Sequence, residues 1–168
     1  LVKNKYKSGN SLLCWKEYFS EAIIHGIDIY ETDRFINDNR INTYICNQSS
    51  KEQLENLVSK TGSFDLIIDD GSHIYLDQKV SLETLIYHIN PYGMYIIEDV
   101  FDKHLEKLIN LDDFDERTKR YINENFEISY AKDEDTLTKY RTHILPEEFK
   151  DQNLIIFRRK IKVDIQLD

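Results

Sequence analysis

The chain has 168 residues, 40% hydrophobic and 32% charged, enough to bury one core without disulfide or metal staples. Its formal net charge of −9 argues against a surface built to grip nucleic-acid phosphates, and the basic run RRKIK at 158–162 reads as a solvated chain end. Cys14 and Cys46 form no Cys-x-x-Cys pair and no apolar run reaches membrane-spanning length, so we expect reduced thiols, a cytoplasmic protein and no membrane partner.

In chain order, SLLCWKEYF (11–19) places Leu12, Trp15 and Phe19 on one helical face, with Ser11 as its N-cap. Two β-branched runs follow, AIIHGIDI (22–29) and RINTYIC (40–46), both readable as buried strands. A helix over 49–62 begins with a Ser49/Glu52 capping box and stops at Gly62. FDLIID (64–69) is the next strand. Leu82, Leu85, Ile86 and Ile89 then make a helical stripe terminated by Pro91, and GMYIIEDV (93–100) is again a strand. Beyond it, 102–120 is heavily charged. A helix near 112–123, a strand FEISYA (126–131), a charged connection (132–152) and a last strand NLIIFRRK (153–160) complete the chain.

This alternation predicts a single α/β domain over 1–168, cut from a longer chain if the opening Leu1 is taken at face value. Its sheet is expected to be doubly wound and mostly parallel, with a terminal antiparallel strand and helices on both faces. Ligands of such sheets bind outside the carboxyl ends of the strands. Asp28, Asn47, Asp70, Glu98 and Asp99 all fall at those ends.

The stretch FDLIIDDGSH (64–73) crowds two aspartates and a histidine behind a strand, which invites a metal, a cationic ligand or plain solvation. Asp70, Glu98 and Asp99 are hard oxygen donors of the kind that suit Mg²⁺, Ca²⁺ or Mn²⁺. His73, three residues after Asp70, is placed to act as a general base near neutral pH. Among the other candidates, His25 and His88 read as packing and His143 as surface. Asp102 and His104 read as a solvated helix face or an acceptor-pocket wall, and Tyr75 as packing or substrate contact.

Taken together, IDDGSH, IIED and the segments GNSLLCWKEYF, IIHGIDI and RINTYICNQSSKEQL resemble the metal-dependent sugar O-methyltransferases of the macrocin and mycinamicin type. Those enzymes are relatives of the cephalosporin-hydroxylase-type proteins and adopt the Rossmann-like class I S-adenosylmethionine fold. The resemblance covers about residues 1–100. It implies a Mg²⁺ or other divalent ion on Asp70, Glu98 and Asp99, His73 as general base, and S-adenosylmethionine as cofactor. It also implies methyl transfer to a hydroxyl of a sugar or glycosylated small molecule; a homo-oligomer and flanking domains stay open as partners. Asp28 matches the acid that holds the cofactor ribose, and Asn47 and Gln48 match a family Asp-Gln beside the adenine. Gly9, Asn10 and Ser11 keep the tail of the family's glycine loop, where Lys3 and Lys5 replace its acid and first glycine. Two other readings stay open: a degenerate scaffold domain on this fold, and a metal enzyme that transfers no methyl group.

Overall fold

The computed structural model describes residues 9–32, 34–35, 37–132 and 153–161, so Lys3, Lys5 and His143 lie outside the described residues. The chain divides into two compact units, 1–47 and 48–168.

The first unit contains α1 (Asn10–Tyr18), β1 (Ile24–Asp28) and β2 (Ile41–Ile45). The strands pair in parallel from Ile24 beside Ile41 to Asp28 beside Ile45, so Asp28 and Asn47 leave the same end of the pair. Gly9 rather than Ser11 is the N-cap of α1, because the helix already starts at Asn10. The Leu12–Trp15 stripe buries no residue of that helix. Its far end is closed from a distance: the Arg40 guanidinium donates to the Lys16 carbonyl at 3.1 Å and the Phe19 carbonyl at 2.9 Å. Asp38 starts β2 by accepting the N–H groups of Arg40 and Ile41, and its other oxygen meets Lys16 at 2.6 Å. The Lys16 bond leads the causes that hold the Asp38 carboxyl below its usual range.

The second unit contains α2 (Lys51–Thr61), β3 (Phe64–Asp69), α3 (Tyr75–Leu85), a 3₁₀ turn (Ile86–His88) and β4 (Ile89–Val100). It continues with α4 (Asp102–Asn110), α5 (Glu116–Asn125), β5 (Phe126–Ala131) and β6 (Asn153–Arg159). The strand order is β3-β4-β6-β5. β3 and β4 are parallel, and β6 is antiparallel to both neighbours. β3, β4 and β5 therefore run one way and β6 alone is reversed, the mostly parallel sheet with a late antiparallel strand that the alternation predicts. Tyr95 and Ile97 of β4, Ile155 and Phe157 of β6, and Leu82 and Ile86 beside them are fully buried. Each such side chain contributes about 1.5–3 kcal/mol of transfer free energy.

Local signals set most boundaries and miss a few. Ser50, not Ser49, caps α2, accepting the Gln53 N–H at 3.4 Å, while Gly62 closes the helix with φ 80 and an N–H to the Val58 carbonyl. The helical stripe ends early: Ile89 is already the first residue of β4, and Pro91 lies within that strand. Pro91 is tolerated because the β3–β4 register is irregular between Phe64 and Leu66, where β4 runs from Ile89 to Met94 without a regular ladder. The charged stretch after 100 contains a full helix, α4, and α5 starts at Glu116 behind an Asp115 cap that accepts the N–H groups of Arg117 and Thr118. Among the described residues no helix is long and apolar enough to cross a membrane.

Candidate metal and catalytic site

Because Asp69 pairs with Ile97, the residues that follow β3 and the last residues of β4 leave the sheet side by side. β4 does not end as a regular strand. Ile97 pairs with Ile155 and Val100 with Asn153, so Glu98 and Asp99 together face one residue of β6. This bulge re-aims the acids, and Asp99 takes φ 51 to do so. His73 takes φ 58 in the loop from β3 to α3. Asp and His tolerate this left-handed region better than most residues, and such strain clusters at functional sites.

The result is a compact trio. Asp70 Oδ1 lies 3.3 Å from His73 Nε2, and Asp99 Oδ2 lies 3.5 Å from His73 Nδ1. One ligand atom from each residue fits within 4.8 Å of the others. The side chains keep 52%, 31% and 33% of their surface, open enough to meet a ligand. Glu98 stands outside this trio. Its carboxyl is pushed up, first by burial and then by the charges of Asp70 and Asp99, with His73 pulling the other way. Gln78, buried on α3, donates to the Glu98 carbonyl at 3.2 Å and fixes the backbone there. Three carboxylates that repel one another beside a single imidazole form a donor set suited to a hard divalent cation.

The adjacent acids of the IDDGSH motif divide their roles. Asp69, which the sequence reading leaves without a function, turns inward and is 6% exposed, while Asp70 stays open. Asp69 accepts from the Tyr95 hydroxyl at 3.0 Å and from the Gln48 amide, and the Tyr95 hydroxyl also meets Ser81 Oγ at 2.7 Å. Burial pushes the Asp69 carboxyl up to about 6 against those hydrogen bonds. The only available signal was the alternation of β3, which sends successive side chains to opposite faces.

Beside the trio opens a cavity of about 550 Å³, lined by His73, Ile74, Tyr75, Leu76, Phe101 and His104 among others. Tyr75 is mainly a packing residue: it is buried, stacks on His104 at 5.0 Å, and its hydroxyl donates to Asp113 at 3.0 Å. Burial, followed by Asp113, pushes its hydroxyl up to about 12. Burial, and after it the charges of Lys103 and Lys107, push the His104 imidazole below its usual range. Among the described residues its Nδ1 has no hydrogen-bond partner.

The residues matched to cofactor binding are placed as follows. Asp28 is exposed at the end of β1 and accepts the Tyr30 N–H at 3.0 Å. Asn47 is exposed just past β2, and Gly9, Asn10 and Ser11 open α1, with Asn10 accepting from Arg34 at 2.9 Å. Gln48, in the second unit, uses both ends of its amide: its nitrogen donates to Asp69 and its oxygen accepts the Ser72 N–H at 2.9 Å.

No family model matches the chain. It is 34% identical over 110 residues to the 8-demethyl-8-alpha-L-rhamnosyl tetracenomycin-C 2′-O-methyltransferase of Streptomyces olivaceus, covering 66% of this chain and 29% of that protein. It is 39% identical over 93 residues to demethylmacrocin O-methyltransferase of Streptomyces fradiae, covering 55% and 23%. Mycinamicin VI 2″-O-methyltransferase of Micromonospora griseorubida is 38% identical over 93 residues, covering 55% and 23%. The chain thus spans about a quarter of the length of the curated relatives it matches. Among solved structures, MycE methyltransferase, from the mycinamycin biosynthetic pathway and in complex with Mg, SAH and mycinamycin VI, superposes with a TM-score of 0.64 at 24% identity, covering 95% of this chain and 42% of that one. The plantazolicin methyltransferase BpumL gives a TM-score of 0.55 at 13% identity, covering 92% and 73%. The fold is that of these methyltransferases, and the sequence relationship read from the IDDGSH and IIED motifs, to the macrocin and mycinamicin enzymes, holds.

Proposed function

We propose that this relative of the sugar O-methyltransferases is part of an S-adenosylmethionine-dependent, divalent-metal-assisted O-methyltransferase acting on a hydroxyl of a sugar or glycosylated small molecule. The observation that carries the reading is the Asp70–His73–Asp99 trio at the ends of β3 and β4, beside an open cavity. Asp70, Glu98 and Asp99 would hold the divalent ion, with Mg²⁺ favoured by the MycE complex. When bound, such an ion supplies Lewis-acid stabilisation of an acceptor oxygen that is losing its proton.

The remaining work falls to the protein's own residues. Asp99 beside Nδ1 and Asp70 beside Nε2 hold the His73 ring between them, and in this reading Nε2 is the nitrogen that takes the proton. That nitrogen faces Asp70, so the acceptor hydroxyl would be deprotonated where the carboxylates converge. Ile74, Leu76 and Phe101 give the acceptor an apolar wall. Asp28 and Asn47, with Gly9, Asn10 and Ser11, form the cofactor set in this reading, while the Gln48 amide is already taken by Asp69 and Ser72. Cys14 and Cys46 are free thiols, in keeping with a cytoplasmic enzyme.

Calorimetry with S-adenosylhomocysteine, with and without Mg²⁺, tests the reading. Binding of both is expected, and absence of S-adenosylhomocysteine binding under both conditions overturns it. Replacing His73 by Ala should lower turnover by about 10²–10⁴-fold while Mg²⁺ still binds. Undiminished turnover removes His73 as the base, and loss of Mg²⁺ binding makes it a ligand instead.

A further inference from the structure

We infer that Gln48 is a positioning residue for the metal-binding loop, acting through Asp69 and Ser72 on the aim of Asp70. The inference rests on the reading of Asp70, Glu98 and Asp99 as metal ligands. It starts from an amide with a divided task. The Gln48 nitrogen donates to the buried Asp69 carboxylate, and its oxygen accepts the Ser72 N–H at 2.9 Å. Between those two anchors lie Asp70 and Gly71, and a Cβ at Gly71 would overlap the Gln48 amide. One side chain therefore brackets Asp70 from both sides in sequence and sits flush against the only loop residue without a side chain.

The bracket is itself anchored. The second oxygen of Asp69 is held by the Tyr95 hydroxyl at 3.0 Å, which is locked to Ser81 of α3 at 2.7 Å. Ser72 Oγ donates to Asp77 Oδ2 at 2.7 Å, so the far end of the loop is tied to the first turn of α3. Among the described residues Asp70 has no side-chain hydrogen bond of this kind: its side chain is 52% exposed and pairs with His73 at 3.3 Å. The direction of its carboxylate is consequently set by the backbone on either side, which Gln48 clamps. Outer residues that orient ligands in this manner change metal affinity by roughly 10–100-fold when replaced.

Mg²⁺ titration by calorimetry at a temperature well below melting tests this, since a purely structural loss leaves the Kd of the folded protein unmoved. Gln48→Met keeps the length and removes both hydrogen bonds, and should weaken Mg²⁺ binding about tenfold or more. Gly71→Ala should do the same by displacing the amide, and in a Gln48→Ala background it should cost little more. If Gln48→Met binds Mg²⁺ like the parent, the inference is overturned. Weakened S-adenosylhomocysteine binding with unchanged Mg²⁺ affinity would return Gln48 to the cofactor instead. Should the parent itself bind no divalent ion, the metal reading falls first, which the parent titration alone reveals.

Discussion

The parallel pairs β1–β2 and β3–β4 both deliver polar residues to their carboxyl ends, and the two ends differ in what surrounds those residues. Asp28, at the end of β1, is exposed and accepts one N–H from Tyr30, in a turn of ordinary geometry. At the end of β3–β4, Asp69 is buried, Asp70 and Asp99 flank His73 at 3.3 and 3.5 Å, and two residues adopt positive φ. Acids at strand ends are therefore not a site by themselves. What distinguishes the second end is convergence, backbone strain and a buried hydrogen-bonded floor, each of which costs stability that an exposed acid does not.

That contrast can be broken by experiment. The largest effect is expected from neutralising the trio: Asp70→Asn with Asp99→Asn should weaken Mg²⁺ binding more than a hundredfold, while Asp28→Asn leaves it unchanged. Equal losses at the two ends would erase the distinction. Next comes pH. The Asp69 carboxyl titrates at about 6 in the folded protein, above its ordinary value of 3.8, so between those values the folded state binds the extra proton. Asp69 thereby makes stability fall as pH rises from about 4 to about 6, by about 3 kcal/mol in total. Denaturant unfolding across that window should show Asp69→Asn removing this component of the slope. A parallel slope in the variant would mean that the carboxyl titrates elsewhere.

Tyr95→Phe should cost about 1–3 kcal/mol in the same assay, because it takes a donor from a buried carboxylate. The smallest stability change, about 0.5 kcal/mol, belongs to Asp28→Ala, which loses one exposed turn bond. S-adenosylhomocysteine affinity sharpens that case: a drop of about tenfold or more without unfolding is what a ribose-holding acid requires, and an unmoved affinity withdraws the role.

Pattern alone located β3 and β5 to the residue and placed β6 within one, because apolar runs with solvated ends state where a strand is buried. It also put Asp70, Glu98 and Asp99 at neighbouring strand ends. Capping was less legible. Ser49 and Ser50 offer the same hydroxyl, and the choice depends on which backbone N–H groups the helix leaves free. The Leu82–Ile89 stripe fits a helix by spacing, yet Ile89 joins β3 beside Phe64, where sheet pairing overrides local period. Of α4 only a solvated helix face at Asp102 and His104 was legible, because its buried residues are just Leu105 and Leu108 within charged surroundings.

The sequence by itself determined the α/β alternation, the run of strands and the chemistry carried to their ends, all of which depend on residues close together in the chain. Only tertiary structure decided how those groups are aimed. The bulge that turns out Glu98 and Asp99 exists because β6 pairs with β4 on both sides of it. Asn153 seals it by donating to the Val100 carbonyl at 2.8 Å across 53 residues. Asp69 turns inward because Tyr95 and Gln48 meet it there. Such long-range pairings leave no local signature, since each partner alone is an ordinary polar residue in an ordinary place.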